Sequence, residues 1–227
     1  MISIAIDGPS GAGKSSIARK AAELFGFLYV DTGAIYRTIG LAAHKNGLNT
    51  KDAPAVISML PSLSIDLRYN ESGEQRMFLN GFDVSGEIRL PEVSMFASDV
   101  SAIPEVREYL TDMQRDMAKK YDVIMDGRDI GTVILPNADL KIFLTASPEE
   151  RAKRRRDQLA RKGTVVSLED VLSDMKRRDE QDMSRAAAPL KAASDAVILD
   201  SSSYTIQETL LIVSELISSR TGRAPVK

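Results

Sequence analysis

The feature that most constrains the fold is a glycine-rich stretch near the start of the chain. It reads Gly8-Pro-Ser-Gly-Ala-Gly-Lys14-Ser15, the spacing Gly-x-x-x-x-Gly-Lys-Ser of a phosphate-binding P-loop. An apolar segment at residues 2–6 precedes it, and a segment with helical periodicity follows and ends at Gly26. Because the motif requires this order of strand, loop and helix, a glycine-rich turn without a ligand is the weaker interpretation.

The residue types of this loop suit a nucleoside triphosphate. Small residues let backbone N–H groups surround a phosphate, and the N-terminus of the next helix adds positive partial charge. We expect Lys14 to contact the β- and γ-phosphate oxygens and the Ser15 hydroxyl to ligate Mg²⁺. The predicted ATP-binding residues are Gly8, Pro9, Ser10, Gly11, Ala12, Gly13, Lys14, Ser15 and Ser16.

Composition excludes several other chemistries. The 227 residues include no cysteine and one histidine, His44, so disulfides, thiolate catalysis, Cys-ligated zinc and multi-histidine metal sites are excluded. The net charge of −2 indicates no general attraction to nucleic acid or to membranes. Neither a signal peptide nor a run of ~20 apolar residues is present. We therefore expect a cytoplasmic protein with no nucleic-acid or membrane partner.

The apolar segments predict the fold class. Five short ones, at residues 2–6, 27–30, 123–125, 140–144 and 196–199, alternate with helical segments. This pattern indicates an α/β fold with a five-stranded parallel sheet covered on both faces, the three-layer P-loop NTPase type. Residues 63–86 instead alternate with period two around turn residues, which predicts a small antiparallel sheet inserted in the chain.

Polar segments follow three of the predicted parallel strands. They are the P-loop, residues 31–37 and residues 126–129, and ligands of such folds lie at the carboxyl ends of the strands. Asp31 or Thr32 is expected to cap the helix that follows the second strand. Asp126 has the position of a Walker-B acid and is predicted to hold Mg²⁺ directly or through water. The alternative is an aspartate that caps a tight turn.

A basic segment suggests a lid. Seven of the twelve residues at 151–162 are Arg or Lys, within two charge-rich helices predicted at 148–162 and 167–181. Most of these charges fit a solvated helix face, but Arg151 and Arg155 are four residues apart and share a face. A mobile arginine-rich helix could bring positive charge to a phosphoryl group and exclude water. A nucleic-acid patch is the rival, disfavoured because aromatic residues are not interleaved.

Further arginines indicate an anionic acceptor. They are Arg37, Arg107, Arg128, Arg178 and Arg185, several of them beside polar turns. Arginine offers bidentate contact to a phosphate. A phosphate monoester is already ionised near neutral pH, with a second pKa of ~6, so it needs no histidine base. The sequence therefore favours transfer between two phosphates, held in line and neutralised.

Five motifs, in order along nearly the whole chain, together resemble the bacterial cytidylate kinase family. They are Asp7-Gly-Pro-Ser-Gly-Ala-Gly-Lys14, Asp31-Thr-Gly-Ala-Ile-Tyr-Arg37, Val84-Ser-Gly-Glu-Ile-Arg89, Asp126-Gly-Arg-Asp-Ile-Gly-Thr132 and Arg178-Asp-Glu-Gln-Asp-Met-Ser-Arg185. The resemblance implies Mg²⁺-dependent phosphoryl transfer from ATP to CMP or dCMP in pyrimidine nucleotide metabolism. It also implies one kinase domain over residues 1–227, with the core at 1–62, 103–147 and 190–220, a monophosphate-binding region with the insertion at 34–102, and a lid at 148–185.

The resemblance also assigns roles to residues. The catalytic set would be Lys14, Arg128, Arg151, Arg155 and Arg178. The CMP-binding set would be Thr32, Tyr36, Arg37, Ser98, Arg107, Arg128, Asp129, Asp182 and Arg185. The metal would be held by Ser15 and Asp126. The family also has Ser at position 32 and Gly-Thr at 15–16, and this chain keeps a hydroxyl near each place.

Three alternatives remain. A P-loop kinase for another small acceptor such as UMP is the nearest, and a nucleic-acid-binding ATPase that uses the basic helix is another. A GTP-dependent switch protein is disfavoured because no Asn/Thr-Lys-x-Asp motif is present. We expect a monomer with nucleotides as its only partners.

Overall fold

The computed structural model describes residues 1–161 and 163–226, so Lys162 of the predicted helix 148–162 lies outside the described residues. The chain forms two compact units. The first, here called the P-loop unit, comprises Met1–Tyr29 and Met117–Lys227. The second, here called the Val30–Asp116 unit, contains the predicted antiparallel insertion. The predicted division into core, monophosphate-binding region and lid stays a prediction.

The secondary structure alternates as the sequence predicts. The strands are β1 (Ser3–Asp7), β2 (Leu28–Asp31), β3 (Ile65–Tyr69), β4 (Gln75–Leu79), β5 (Phe82–Asp83), β6 (Val123–Gly127), β7 (Leu140–Thr145) and β8 (Val197–Asp200). The α-helices are α1 (Lys14–Phe25), α2 (Thr32–Lys45), α3 (Ala53–Met59), α4 (Val93–Ser101), α5 (Pro104–Lys120), α6 (Pro148–Arg161), α7 (Leu168–Ser184) and α8 (Ile206–Thr221). Short 3₁₀ turns occupy Leu60–Ser62 and Glu87–Arg89, and a π-helical turn occupies Ile130–Ile134.

The predicted five-stranded sheet is confirmed. Its order is β2-β6-β1-β7-β8, with β1 at the centre. Strand β1 pairs in parallel with β6 and β7, and β7 pairs in parallel with β8. Strand β6 is buried along its whole length, which explains why these strands appear in the sequence as apolar runs. The carboxyl ends of β1 and β6 therefore lie side by side.

Helix α1 holds the P-loop against this sheet. Its apolar face, with Ile17 and Phe25, joins one buried cluster with Ile6 of β1 and Val213 of α8. The helix ends where the sequence predicts, because Gly26 adopts a left-handed φ of 68° and donates its N–H to the carbonyl of Ala22. The helix start, and thus its positive end, is fixed at Lys14.

The Val30–Asp116 unit contains the predicted antiparallel sheet, in the order β3-β4-β5. Strand β5 has only two residues, Phe82 and Asp83. Helices α2 and α4 pack closely, since a Cβ on Gly40 would lie 2.8 Å from the Phe96 Cβ. The one histidine, His44, stacks on the Phe96 ring with centroids 4.6 Å apart. It therefore packs between the two helices.

Helices α6 and α7 correspond to the two predicted charge-rich helices. They share a small buried cluster of Ala152, Val171 and Met175 in the P-loop unit. Ser167 caps α7 by accepting the backbone N–H of Asp170. Among the helices of the described residues, none combines the length and the apolar character needed to cross a membrane.

Candidate nucleotide-binding site

The P-loop backbone requires glycine at two positions. Gly8 has a φ of 146°, and a Cβ there would overlap the carbonyl oxygen of Leu144. Gly13 has a φ of 94° directly before α1. The Lys14 side chain is buried within the loop, and its Nζ donates to the carbonyl of Pro9 at 2.8 Å. Burial, followed by the charge of Arg128, lowers the pKa of Lys14 well below its ordinary value.

The two predicted metal ligands lie together. The Ser15 hydroxyl donates to Asp126 Oδ2 at 2.8 Å, and the Tyr29 hydroxyl donates to Oδ1 at 2.8 Å. Asp126 is 4% exposed and lies near the carboxyl end of β6. Tyr29, which the sequence analysis missed, fixes the other oxygen of this carboxylate.

This pair of oxygen ligands fits Mg²⁺. The ion prefers hard oxygen ligands and usually keeps several waters, with one or two carboxylates and the substrate phosphates completing its shell. Across residues 1–161 and 163–226 there is no group of three or more His, Cys, Asp or Glu side chains that could hold a metal. A site of one hydroxyl and one carboxylate agrees with a metal that arrives with the nucleotide.

Helices α6 and α7 contact the P-loop through a buried ion pair. Arg151 Nη1 lies 2.6 Å from Asp179 Oδ2, and Arg151 is 5% exposed. The same nitrogen donates to the Ser10 carbonyl at 2.9 Å, while the Ser10 amide donates to Asp179 Oδ1 at 3.4 Å. The Arg151 Nε donates to the Ala146 carbonyl at 2.9 Å. The Arg151 guanidinium is thus bound to protein groups here, and its role toward a phosphate stays a prediction.

The other two lid arginines lie in different surroundings. Arg178 Nη1 donates to the Ser10 hydroxyl at 3.4 Å, so this side chain also reaches the P-loop. Arg155 lies one turn beyond Arg151, is partly exposed, and donates to the Gln158 side chain at 2.7 Å. The structure therefore brings Arg151 and Arg178 into contact with the loop.

Four predicted CMP-binding residues of the P-loop unit form one charged cluster. Arg128 Nε lies 2.8 Å from Asp182 Oδ2, and Arg185 lies 3.7 Å from Asp129 and 3.9 Å from Asp182. Burial acts to raise the pKa of Asp182, but the charges of Arg128 and Arg178 lower it below its ordinary value. The cluster therefore holds the ionised Asp182 carboxylate beside the guanidinium groups of Arg128 and Arg185.

The other five predicted CMP-binding residues lie in the Val30–Asp116 unit. Thr32 begins α2, which also carries Tyr36 and Arg37, while Ser98 lies on α4 and Arg107 on α5. The Arg107 guanidinium lies 5.4 Å from the centroid of the Tyr36 ring, and its Nη1 donates to the Ser101 carbonyl at 3.0 Å. Within this unit, the structure brings Tyr36 and Arg107 into contact.

The start of α2 is fixed by residues that the sequence analysis did not select as site residues. Asp31 caps the helix, as predicted, by accepting the Ala34 N–H at 2.9 Å. The buried Gln75 side chain accepts the Asp31 N–H at 2.8 Å and donates to the Asp31 carbonyl at 3.2 Å. Arg89 Nη1 lies 3.1 Å from Asp31 Oδ2. The antiparallel sheet therefore holds the residue before Thr32.

Asp7 is a further residue that the sequence analysis left without a role. It is the last residue of β1, directly before the P-loop, and its buried carboxylate accepts the N–H groups of Ile130 and Gly131. The signal available in the sequence was an acid directly before the P-loop. The residues whose N–H groups bind this acid are more than a hundred positions away, so the sequence did not reveal its role.

The parallel sheet, the P-loop and the contact between Ser15 and Asp126 together define the class of P-loop nucleotide-binding proteins. The model of the cytidylate kinase family matches residues 4–219. The chain therefore belongs to the cytidylate kinase family.

Other members of the family are similar to this chain over almost its whole length. The cytidylate kinase of Caldicellulosiruptor bescii is 52% identical over 215 residues, which are 95% of each chain. That of Pelotomaculum thermopropionicum is 47% identical over 216 residues, 95% of this chain and 96% of the relative. A solved structure of an uncharacterized protein from Eubacterium ventriosum covers 97% of this chain and 100% of its own, with a TM-score of 0.55 and 14% identity. That last likeness concerns the fold alone.

Proposed function

We propose that the protein transfers the terminal phosphoryl group of ATP to CMP and dCMP, giving ADP and CDP or dCDP. The observation that carries this proposal is the family match over residues 4–219, which includes all the predicted nucleotide-binding residues. The contacts in the P-loop unit support it, because the buried Lys14 and the Ser15–Asp126 pair supply the positive charge and oxygen ligands that a triphosphate with Mg²⁺ requires.

On the donor side, the P-loop supplies fixed positive groups. The Lys14 ammonium, which now donates to Pro9, would turn to the β- and γ-phosphate oxygens. Ser15 and Asp126 would hold Mg²⁺, and the bound ion would supply charge that offsets the phosphates. Tyr29 keeps the Asp126 carboxylate oriented for this role.

On the acceptor side, arginines replace a general base. The CMP phosphate is already ionised at neutral pH, since its second pKa is ~6, so the protein must only hold and neutralise it. Arg37 and Arg128 would bind that phosphate by charge-assisted hydrogen bonds, with Tyr36 beside it, while Arg107 would lie near the cytosine or its sugar. The Arg128–Asp182 ion pair supports this role, because it fixes the guanidinium before the substrate arrives.

The base and sugar of CMP would contact both hydrogen-bond donors and hydrogen-bond acceptors of the protein. Cytosine offers an amino donor at N4 and acceptors at O2 and N3. Asp129 and Asp182 could accept hydrogen bonds, and Ser98 and Arg185 could donate them. The buried position of Ser98, Asp129 and Asp182 supports a role in selectivity, because an incorrect base would leave a buried group unsatisfied.

The finer predictions belong to the same proposal. They are the roles of Arg151, Arg155 and Arg178 as lid arginines, a monomeric state, a cytoplasmic location and the absence of a nucleic-acid partner. Light scattering after size-exclusion chromatography tests the monomeric state. A filter-binding titration with RNA at low and high salt tests the basic helix, since phosphate contacts weaken steeply with salt.

A panel of nucleoside monophosphates in an ADP-release assay tests the proposed function. With ATP as donor, we expect the highest kcat/KM with CMP or dCMP, and lower values with UMP, AMP and GMP. A rate with UMP more than about tenfold above that with CMP would contradict the specificity. Replacing ATP by GTP in the same assay tests the alternative of a GTP-dependent protein.

A further inference from the structure

Asp7 lies where the two nucleotide sites of the P-loop unit meet. It is the last residue of β1 and directly precedes Gly8 of the P-loop. In the parallel pairing of β1 with β6, Asp7 is opposite Gly127, which directly precedes Arg128. A single side chain is thus adjacent to the loop predicted to bind ATP and to the segment predicted to bind CMP.

Both oxygens of the Asp7 carboxylate are used. Oδ1 accepts the N–H of Ile130 at 2.8 Å, and Oδ2 accepts the N–H of Gly131 at 2.7 Å. These are the first two residues of the π-helical turn Ile130–Ile134, which follows directly after Arg128 and Asp129. A carboxylate that accepts two consecutive amides fixes the direction of the backbone there, much as a cap fixes the start of a helix.

The backbone approaches Asp7 closely at this turn. A Cβ on Gly131 would lie 3.4 Å from Asp7 Oδ2 and 3.1 Å from the Lys141 side chain. Glycine therefore lets the second amide reach the carboxylate without displacing its neighbours. The glycine of the turn and the Asp7 carboxylate therefore both contribute to these hydrogen bonds.

The fold retains this carboxylate although its charge is unfavourable there. Burial raises the pKa of Asp7 from 3.8 to about 6, and the nearby charge of Asp129 acts in the same direction. The hydrogen bonds from Gly131 and Ile130 and the charge of Lys14 lower it only in part. Because this pKa is higher in the folded state than in the unfolded chain, ionised Asp7 reduces stability at neutral pH. Buried ionisable groups of this kind cluster at functional sites.

From these contacts we infer that Asp7 is a positioning residue, which holds the Arg128–Asp129 segment in the geometry needed for CMP. The inference rests on the proposed function. Asp7 touches neither nucleotide in this account, so it acts through Arg128 and Asp129. Its loss should therefore impair the use of CMP and leave the affinity for ATP largely unchanged.

The substitution Asp7→Asn tests this role. The amide keeps the size of the side chain but removes the charge and one of the two acceptors, so one backbone N–H loses its partner. We expect kcat/KM for CMP to fall at least about fivefold, with the Kd for ATP, measured calorimetrically without CMP, changed less than about threefold. The unfolding midpoint at pH 7.5 is measured beside the kinetics, so that a loss of folding is recognised as such.

A matched control contacts Ser3 at the start of β1, at the opposite end of that strand from Asp7. Asp139 is exposed and accepts the N–H of Ser3 at 2.8 Å, so Asp139→Asn makes the same chemical change away from both loops. This variant should keep both kinetic parameters within about twofold. Asp7→Ser, which is smaller and retains one acceptor, is the second variant and should show the same CMP-selective loss.

Three results would overturn the inference. One is a loss in kcat/KM for CMP below about fivefold, and another is an equal loss of ATP affinity. The third is the failure of both Asp7 variants to fold, which would assign the residue to stability. Failure of the proposed function would be visible in the unsubstituted protein, which would then not use CMP, so the two failures are distinguishable.

Discussion

The two units hold their predicted functional residues by different means. In the P-loop unit, arginines are paired with buried acids, as in Arg151–Asp179 at 2.6 Å and Arg128–Asp182 at 2.8 Å. In the Val30–Asp116 unit, the contacts of Arg107 include the Ser101 carbonyl and the Tyr36 ring, and the ion pair Arg89–Asp31 joins an exposed arginine to a buried acid. The ion pair Arg76–Asp83 of that unit lies in an exposed part of its sheet.

The two units therefore differ in how strongly the positions of their charged side chains are fixed. Removing one member of a buried ion pair leaves an uncompensated charge and costs about 3–5 kcal/mol. A neutral hydrogen bond contributes about 1 kcal/mol, and an exposed ion pair contributes less. The Arg151–Asp179 and Arg128–Asp182 pairs should therefore be rigid before a nucleotide binds, while the exposed Arg76–Asp83 pair contributes little.

The largest effect on stability is expected for the Arg151–Asp179 pair. Asp179→Asn keeps the shape but leaves the buried Arg151 without its counter-charge. The free energy of unfolding in urea should fall by about 3–5 kcal/mol. The control is Asp174→Asn on the same helix, whose pair with Arg177 is exposed, and it should have little effect. A loss below about 1 kcal/mol for Asp179→Asn would remove the contrast between the two units.

The next largest effect is on catalysis in the P-loop unit. Lys14→Ala should lower kcat by about 10²–10³, the scale of losing one preorganised electrostatic donor. Steady-state rates of ADP release with CMP measure it. Lys20→Ala, on the exposed side of α1, is the control and should leave kcat unchanged. A loss of less than about tenfold would remove Lys14 from the predicted catalytic residues.

In the Val30–Asp116 unit, Arg37→Ala should affect the acceptor alone. Loss of a charge-assisted contact to the CMP phosphate should lower kcat/KM for CMP by about 10- to 100-fold, with ATP affinity unchanged. Arg68→Ala, in the exposed part of β3, serves as control. Weakened ATP binding with an unchanged KM for CMP would reverse the assignment of the two nucleotide sites.

A smaller effect is expected where the antiparallel sheet holds α2. Gln75→Leu removes both hydrogen bonds to the Asp31 backbone, so the buried Asp31 N–H loses its side-chain partner. The free energy of unfolding should fall by about 2 kcal/mol, and the KM for CMP should rise several-fold. If KM rises no further than in a surface variant of equal stability, the sheet does not position the acceptor residues of α2.

The smallest effect is expected at the exposed pair of the same sheet. Hydrogen bonds from Ser85, and then from Arg76, lower the pKa of Asp83 to about 2. A lowered pKa stabilises the fold above the unfolded value of 3.8, and this contribution is lost as the pH falls from 3.8 towards 2. Asp83→Asn should therefore lower Tm by less than about 3 °C at pH 7, and by nothing near pH 2. A larger decrease in Tm at pH 7 would show that the Arg76–Asp83 pair stabilises the fold as much as the buried pairs do.

Local patterns explain why much of the fold could be predicted. The P-loop spacing, the helix stop at Gly26 and the cap at Asp31 each depend on a few neighbouring residues, and the structure confirms all three. Period-two alternation likewise revealed the antiparallel sheet. The lengths of β5 and of several strand ends depend on pairing across the sheet, which a local pattern does not fix.

Partners across the chain could not be predicted in the same way. Gln75 lies 44 positions from Asp31, and Asp7 lies 123 positions from Ile130. Neither pair has a motif that joins its members, because each contact exists only once the sheets have formed. For the same reason, the sequence predicted that Arg151 lies on an arginine-rich helix face. It did not predict that Arg151 pairs with Asp179.

Transfer of labelled phosphate from ATP to CMP tests the central claim most directly. With ATP labelled at the γ-phosphate, CMP and Mg²⁺, the proposal predicts that the label moves into CDP, with one ADP formed for each CDP. ATP consumed at the same rate with and without CMP, with the label released as inorganic phosphate, would contradict it.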